Sequence, residues 1–360
     1  MKVRDYGRVV NATERLPTAN GAPAGKMRAA IVPRIGARWE LREIDIPKPG
    51  ADEVLIKIAA SGLCYTDVHF SSGPFLGDHF PSIFGHEPVG TIVAVGDAVK
   101  TRKVGDRVGT TTVQRTCERC EWCLSGREIS CPNQTLLFVN MPGGHAEYMV
   151  AVAQKTTPIP DQISFEQAAP LFCAGYTVMS GILRANPRPH ETIAVIGIGG
   201  LGHLAIQYGR TLGHRVVAVT RSPDKIDLAR ELGAHDVVAD GEGLKAIGGA
   251  DIILSTANAY KPAVEALSAL RPDGRLVLMG IADSEDLTVP GPMVFPNMMV
   301  NRWSIIGSQQ NERNALELAL QIAAAGKVRV LTEAFPLDRV NDAFDRVAQG
   351  KARFRVVLTA

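Results

Sequence analysis

The stretch TIAVIGIGGLGHLAIQYGRTLG, residues 192–213, combines two hydrophobic periodicities around a group of glycines. Its apolar beginning predicts a buried strand, and its second half has the apolar spacing of a helix. Strand-like and helix-like segments then alternate from RVVAVT through GRLVLMG to SIIGS. This alternation predicts an α/β fold in which helices cover both faces of a parallel sheet.

The glycines of this stretch follow the pattern G-x-G-x-x-G. Between a strand and a helix, such glycines form a tight turn that lets the backbone approach a pyrophosphate, and the helix amino end supplies N–H donors. The pattern therefore predicts a dinucleotide site, although a turn without a ligand is the alternative. The residues of the predicted site are Gly197, Ile198, Gly199, Gly200, Leu201 and Gly202.

The second strand of the alternation ends in Thr220-Arg221-Ser222, where a carboxylate would be expected to bind the ribose 2′-hydroxyl of NAD. An arginine with two hydroxyls instead suits a 2′-phosphate, because a guanidinium pairs bidentately with phosphate. We predict that these three residues bind the cofactor and that NADP is favoured over NAD. The alternative is that Arg221 is a solvated surface charge and that Thr220 tolerates NAD.

Four of the six cysteines lie in CERCEWCLSGREISC, residues 117–131, hereafter the cysteine lobe. The spacing of Cys117, Cys120, Cys123 and Cys131 suits a closed tetrahedral shell around zinc. A closed shell leaves no position for substrate, so this zinc should be structural. Buried free thiols or a disulfide pair are the alternatives, and a cytoplasmic location disfavours the disulfide.

Two cysteines remain, Cys64 and Cys173, and the GHE sequence between them contributes His86 and Glu87. Two thiolates and an imidazole would make a three-ligand zinc site with an open position. Taken singly, His86 could be a core histidine and Cys173 a small buried apolar residue. The prediction rests on their occurring together with the other motifs.

Composition limits the function classes. The chain has 360 residues, 46% of them hydrophobic, and a formal net charge of +2. Without a basic patch or a long apolar run, nucleic acid and membrane are not expected partners. Residues 1–26 are polar, lack the apolar core of a secretory signal and are predicted to form an N-terminal extension, so we expect a cytoplasmic protein.

Taken together, these motifs resemble the zinc-dependent alcohol dehydrogenases of the medium-chain dehydrogenase/reductase superfamily. The resemblance also includes GLCYTDVH at 62–69, GGHAEY at 143–148 and CAGYT at 173–177. It implies a GroES-like β-rich catalytic domain at 27–172, completed by 313–360, and a Rossmann domain at 173–312. It further implies reversible NAD(P)-linked oxidation of primary or secondary alcohols, two zinc ions per chain, and a homodimer or homotetramer.

The resemblance assigns the catalytic zinc to Cys64, His86 and Cys173. Glu87 would lie beside the metal as an alternative ligand. Asp67 would orient His86 from behind, a recurrent arrangement at zinc sites, although a turn-capping aspartate is the alternative.

Four further roles follow from the same resemblance. Thr66 would hydrogen-bond the substrate oxygen, and His69 would be the outer histidine of a proton relay unless it is an ordinary surface histidine. Thr177 would pack against the nicotinamide, and Arg355 would lie near the cofactor phosphates.

The chain departs from the family pattern at Tyr65, where many members carry histidine, and at Asn311, where glycine is common. Thr112 stands where ethanol-type members have a bulky aromatic residue, which predicts a wider substrate pocket. Phe75 and Phe80 are the expected aromatic walls, though both could be core residues. We therefore predict better activity on medium-chain or aromatic alcohols than on ethanol.

Other functions stay open at this point. A polyol or formaldehyde dehydrogenase would use the same ligands, and a zinc-free quinone or enone reductase of the superfamily would need none of them. A non-enzymatic sensor or structural protein that binds zinc and a dinucleotide is an alternative from another class. The intact pair of Thr66 and His69 favours an enzyme.

Overall fold

The computed structural model describes residues 23–73, 79–282, 285–310 and 314–360. The chain divides into two compact units: the first comprises residues up to Cys173 together with Thr332–Ala360, and the second comprises Ala174–Leu331. The predictions for Phe75, Asn311 and most of the N-terminal extension fall outside the described residues.

The strands are, in chain order, β1 (Lys26–Val32), β2 (Glu40–Asp45), β3 (Glu53–Leu63), β4 (Ser82–Ile83), β5 (Glu87–Val95), β6 (Arg107–Thr110), β7 (Val113–Arg115), β8 (Thr135–Leu136), β9 (Tyr148–Val152), β10 (Thr156–Pro158), β11 (Thr192–Ile196), β12 (Arg215–Val219), β13 (Asp236–Val238), β14 (Ala250–Ser255), β15 (Leu270–Leu278), β16 (Ser304–Gly307), β17 (Thr332–Pro336) and β18 (Arg355–Thr359).

The α-helices are α1 (Tyr65–Ser72), α2 (Glu121–Leu124), α3 (Phe165–Ala168), α4 (Ala174–Ala185), α5 (Gly202–Thr211), α6 (Ile226–Glu231), α7 (Gly241–Ala246), α8 (Lys261–Glu265), α9 (Met299–Asn301), α10 (Ala315–Ala324) and α11 (Val340–Ala348). A bilayer span takes about 20 apolar residues. Within the described ranges, no helix reaches the length and apolar character that crossing a bilayer requires.

The first unit is β-rich, as the sequence predicts. Its largest sheet has the order β10-β6-β5-β3-β18-β17, with β9 also paired to β3. The final strand β18 runs antiparallel to β3, with Val356 opposite Leu63. The C-terminal segment therefore completes the sheet beside the end of β3, the point at which Cys64 follows.

The second unit contains a six-stranded sheet with the order β13-β12-β11-β14-β15-β16, in which every pair is parallel. Counted within the unit, this is the 3-2-1-4-5-6 order of a Rossmann fold. Every residue of β11 is buried, as expected where helices cover both faces of the sheet. The predicted parallel sheet is confirmed.

The segment 164–185 has helical spacing, but the structure interrupts the helix at Cys173. Helix α3 continues into a 3₁₀ turn over Ala169–Phe172, and α4 begins at Ala174. Cys173 itself has φ −121° and ψ −72°, outside helical values. The interruption separates the last residue of the first unit from the helix that opens the second.

The domain boundary near the C-terminus lies later than the predicted residue 313. Helix α10 belongs to the second unit, where it packs on α4 and buries the face that contains Leu316 and Leu320. The fully buried Tyr208 of α5 donates a hydrogen bond from its hydroxyl to the carbonyl of Ala319, at 3.1 Å. Because α10 buries its apolar stripe there, the chain returns to the first unit only at Thr332.

We predict that Tyr208→Phe lowers the free energy of unfolding by about 1 kcal/mol, because it removes one buried hydrogen bond while keeping the ring. Tyr208→Ala should cost about 3–5 kcal/mol, because it also leaves a cavity between α5 and α10. Urea unfolding followed by circular dichroism measures both. Equal stability of wild type and Tyr208→Phe would contradict the role given to this bond.

Candidate zinc and dinucleotide sites

Cys64 lies where β3 ends and α1 begins, and local backbone chemistry fixes it there. It is the amino-terminal cap of α1, with extended φ −100° and ψ 161°. Its backbone N–H donates a hydrogen bond at 2.8 Å to Oδ2 of Asp67, which is the third residue of α1. This hydrogen bond satisfies a helix-end donor and brings the Asp67 carboxylate behind the Cys64 side chain.

Four side chains converge around Cys64 to form what we call the ligand cluster: Cys64, His86, Glu87 and Cys173. One ligand atom from each lies within 4.8 Å of the others. The two sulfur atoms are 3.9 Å apart, and His86 and Glu87 enter from the start of β5. Residues more than a hundred positions apart in sequence thus meet in one buried place.

The chemistry of the ligand cluster fits zinc. A tetrahedral site with Zn–S bonds of about 2.3 Å places its sulfur atoms about 3.8 Å apart, close to the separation found here. Nδ1 of His86 lies 3.4 Å from Oδ1 of Asp67, which leaves Nε2 available. That Nε2 is buried and has no hydrogen-bond partner among the described residues. A metal ion would satisfy it, and two sulfurs with one nitrogen would leave an open fourth position.

The buried groups of the ligand cluster shift one another's pKa values. The pKa of Cys64 is lowered well below its usual value, chiefly because the Cys173 thiol donates a hydrogen bond to it, and burial opposes this. The same hydrogen bond, followed by burial, raises the pKa of Cys173. Burial alone would lower the pKa of His86, but the charge of Asp67 and its hydrogen bond raise it well above its usual value.

Arg355 lies in this cluster, a position that sequence reasoning missed. Its side chain is 5% exposed, Nη2 donates to Oε1 of Glu87, and Nη1 lies 3.9 Å from Sγ of Cys64. Burial raises the pKa of Glu87 to about 7, although the charge of Arg355 opposes the rise. A Cβ at Gly62 would overlap the Glu87 carboxylate, so the β3 backbone must carry glycine there. The role of Arg355 at the cofactor phosphates stays a prediction.

Helix α1 carries the two residues expected to bind and relay the substrate proton. Oγ1 of Thr66 is 3.6 Å from Sγ of Cys64, at the edge of the ligand cluster. His69 is 8% exposed, and its ring lies edge-on to Tyr65 with 4.7 Å between centroids. This burial does not suit the alternative of an ordinary surface histidine.

The two described residues of the predicted substrate pocket differ in their surroundings. Thr112 is half-buried, and its carbonyl accepts the backbone N–H of Leu137 at 2.9 Å. Phe80 stacks on the core residue Phe84 with 6.2 Å between ring centroids. Phe80 thus packs against the core of the first unit, the alternative left open for it.

Sequence reasoning also gave no role to His145 and Ser61, which lie behind the ligand cluster. Both are buried, and Nδ1 of His145 is 2.9 Å from Oγ of Ser61. Burial lowers the pKa of His145 to about 4, so the ring is neutral at pH 7. The signal that could have indicated this role is the histidine in GGHAEY, a titratable residue next to two glycines within a motif that the resemblance includes.

The cysteine lobe brings its four sulfur atoms together, with one atom from each within 4.8 Å of the others. Sγ of Cys117 is 4.0 Å from that of Cys123 and 3.6 Å from that of Cys131. None of the chain's six cysteines, all within the described ranges, is in a disulfide. Backbone N–H groups at Arg119 and Cys120 help to lower the pKa of Cys117 to about 6. Four sulfurs at this spacing fit a closed zinc shell.

In the second unit, the glycine-rich turn joins β11 to α5. Gly197 has φ +87°, which a side chain would strain, and a Cβ at Gly202 would overlap the carbonyl of Gly197. A Cβ at Gly199 would meet nothing within 4 Å, so open space lies beside that backbone. The amino end of α5 has no side-chain cap among the described residues. This arrangement fits an anionic ligand bound by backbone N–H groups.

The remaining predicted cofactor residues also lie in the second unit. At the end of β12, Oγ1 of Thr220 accepts the N–H of Ser222 at 3.2 Å. Arg221 is largely exposed, and its Nη2 lies 3.7 Å from Oε2 of Glu265. Thr177 is buried in α4.

Comparison with known proteins agrees with this geometry. Residues 50–161 match the alcohol dehydrogenase GroES-like domain family, and residues 200–325 match the zinc-binding dehydrogenase family. An alcohol dehydrogenase of Geobacillus stearothermophilus is 40% identical over 340 residues, covering 92% of this chain and 99% of the relative. One from Moraxella sp. (strain TAE123) is 39% identical over 339 residues, with coverages of 92% and 99%.

A solved structure of a cinnamyl alcohol dehydrogenase from Sorghum bicolor superposes with a TM-score of 0.84. It is 28% identical in sequence, and the match covers 93% of this chain and 98% of that one. From these relatives and the two family matches we conclude that this chain belongs to the zinc-type alcohol dehydrogenases of the medium-chain dehydrogenase/reductase superfamily, oxidoreductases that act on alcohols with zinc and a nicotinamide dinucleotide.

Proposed function

We propose that this enzyme reversibly oxidises medium-chain or aromatic alcohols, prefers NADP, and holds two zinc ions, one in the ligand cluster and one in the cysteine lobe. The observation that carries the proposal is the buried Nε2 of His86, which has no hydrogen-bond partner among the residues that the structure describes and lies beside two buried sulfur atoms. In a structural site, four protein ligands fill the coordination shell of the zinc. Two sulfurs and one nitrogen would instead leave one coordination position for an alcohol oxygen.

The residues of the first unit divide the work of proton removal. When bound, zinc supplies Lewis acidity that lowers the pKa of the alcohol hydroxyl. Thr66, 3.6 Å from Sγ of Cys64, is placed to accept that hydroxyl proton, and His69 one turn further along α1 passes it on. Asp67 holds the proton of His86 on Nδ1, which keeps the Nε2 lone pair directed at the metal.

The second unit holds the cofactor, whose nicotinamide supplies the hydride chemistry. The turn over Gly197, Gly199 and Gly202 would bind the pyrophosphate through backbone N–H groups. The preference for NADP rests on Arg221, whose exposed guanidinium could bind a 2′-phosphate bidentately. Thr220 and Ser222 contribute hydroxyls at the end of β12, where the sequence has no carboxylate, and Arg221 would exchange its contact with Glu265 for the phosphate.

The substrate class rests on the small side chain at Thr112, which leaves room that an aromatic residue would fill. The structurally similar Sorghum bicolor enzyme is named for an aromatic alcohol, which agrees with a wide pocket. Phe80 packs on the core residue Phe84, so we assign the width of the pocket to Thr112.

We also propose that the enzyme is a cytoplasmic homodimer or homotetramer that pairs through the second unit. Strand β16 lies at the edge of its sheet and is only partly buried. Close to it in sequence, Phe295 is 65% exposed, with Met299 and Val300 similarly exposed. An exposed apolar group on the segment that leads into an edge strand would be covered by a second copy.

The zinc assignment predicts that each site can be emptied separately. Cys64→Ala should retain one zinc ion per chain, stay folded and lose activity on the order of a thousandfold, because Lewis acidity is removed. Cys120→Ala should also retain one zinc ion but lose stability, because a structural site contributes folding energy. Metal analysis by mass spectrometry and thermal unfolding measure both. Two zinc ions in Cys64→Ala, or unchanged thermal stability in Cys120→Ala, would contradict the assignment.

The cofactor assignment predicts a higher kcat/KM with NADP than with NAD. Arg221→Ala should lower kcat/KM for NADP by about 10–100-fold and leave that for NAD nearly unchanged, because it removes a charge-assisted pair to the 2′-phosphate. The control is Arg230→Ala, which removes another largely exposed arginine, paired to Asp227 on α6. A clear advantage for NAD in the wild type would refute the preference.

The substrate assignment predicts that hexanol and cinnamyl alcohol have a higher kcat/KM than ethanol. Thr112→Trp should reduce kcat/KM for cinnamyl alcohol much more than for ethanol, because the larger ring narrows the pocket. Thr112→Ser, which changes the volume little, is the control. The proposal fails if ethanol is the best substrate of the wild type.

A further inference from the structure

His145 is held rigidly behind the ligand cluster. It lies between β8 and β9 and is 0% exposed. Its backbone N–H donates to the carbonyl of Phe84 at 2.9 Å, and its carbonyl accepts the N–H of Ala30 at 2.9 Å. The ring of Trp39 packs beside it with 5.6 Å between centroids. The hydrogen bonds therefore fix the backbone of His145, and the contact with Trp39 fixes its ring.

The two ring nitrogens of His145 face different partners. Nδ1 is 2.9 Å from Oγ of Ser61, and Nε2 is 3.9 Å from Oδ2 of Asp67. Nε2 is buried and has no hydrogen-bond partner among the described residues. A lone pair on Nε2 would be repelled by the carboxylate, so the proton is favoured on Nε2 and the Ser61 hydroxyl donates to Nδ1.

His145 also packs against the residue that precedes the metal ligand. Gly85 has φ +97°, and a Cβ there would lie 2.6 Å from Nδ1 of His145. The N–H of Gly85 donates to Oδ1 of Asp67 at 3.3 Å. The imidazole of His145 therefore supports both the Asp67 carboxylate and the backbone of Gly85, the residue before His86.

We propose that His145, with its proton placed by Ser61, is a positioning residue for the catalytic zinc. It holds Asp67 and the Gly85–His86 backbone so that Nε2 of His86 keeps its direction toward the metal. His145 touches neither substrate nor metal, and it acts through Asp67 and Gly85. The inference rests on the proposed ligation of zinc by His86.

The distance of 3.9 Å is too long for a hydrogen bond, so the effect of Nε2–H on Asp67 is electrostatic. In a buried setting such an attraction is poorly screened by water. The neutral ring adds no net charge to a cluster that already contains carboxylates and thiols. Loss of the N–H would therefore loosen Asp67 without disturbing the charge balance.

The test measures how quickly zinc leaves the purified holoenzyme into excess 4-(2-pyridylazo)resorcinol. The release phase that is missing in Cys64→Ala belongs to the ligand cluster, and the other phase belongs to the cysteine lobe. His145→Phe keeps a flat ring but has no nitrogen, and Ser61→Ala keeps His145 but loses the donor to Nδ1. Ser71→Ala is the matched control, because that buried hydroxyl on α1 donates to the carbonyl of Val68 instead.

We expect His145→Phe to accelerate release from the ligand cluster about 10–100-fold, the range known for residues that orient metal ligands. Ser61→Ala should accelerate it less, and the double variant should release zinc no faster than His145→Phe alone. Release from the cysteine lobe should stay unchanged in every variant, which reports that the unit is folded.

Unchanged release from the ligand cluster in His145→Phe and Ser61→Ala would overturn the inference. If His145→Phe fails to fold, Ser61→Ala decides alone: acceleration supports the inference, and a rate equal to that of Ser71→Ala overturns it. A failure of the zinc assignment itself would look different, because Cys64→Ala would then retain both release phases.

Discussion

The first unit depends on compensating the negative charge that its ligand cluster places away from water. Two thiols and the carboxylates of Asp67 and Glu87 are all buried there. An unpaired buried charge costs several kcal/mol, so these groups need a cation within the same low-dielectric space. Arg355 supplies one such charge through its contact with Glu87, and a zinc ion would supply the rest. The chain meets this requirement by returning at Thr332 to add β18 beside β3.

Sequence alone predicted the Rossmann unit well, because its signals are local. The apolar run of β11, the glycines and the helix α5 lie within 192–213, and neighbouring strands repeat the same pattern. The convergence of the four sulfur atoms in the cysteine lobe was predictable for the same reason, since four thiols in one short loop need little tertiary information. The positive φ of Gly197 and the crowded Gly202 show that these glycines are required by backbone geometry.

Contacts between distant residues were harder to predict. Arg355 is 291 positions from Cys64, and Ser61 is 84 positions from His145. No local pattern marks such pairs, because their proximity follows from the antiparallel register of β3 and β18 and from the loop between β8 and β9. The resemblance places the boundary at 313, whereas the second unit of the structure runs to Leu331. The amphipathic pattern of α10 predicts that the helix buries one face, but it does not indicate which unit covers that face.

The two proposed zinc sites differ in how the protein stabilises thiolates, and this difference suits the separate roles that we propose for them. In the cysteine lobe, backbone N–H groups point at the sulfur atoms of Cys117 and Cys131. Such donors come with the fold of the loop, so four thiolates can fill the metal shell. In the ligand cluster, side chains from distant parts of the chain stabilise the thiolate instead: the Cys173 thiol donates a hydrogen bond to Cys64, and the guanidinium of Arg355 lies 3.9 Å from the Cys64 sulfur. Of the two proposed sites, the one assembled from residues distant in sequence is thus the one to which we assign the substrate.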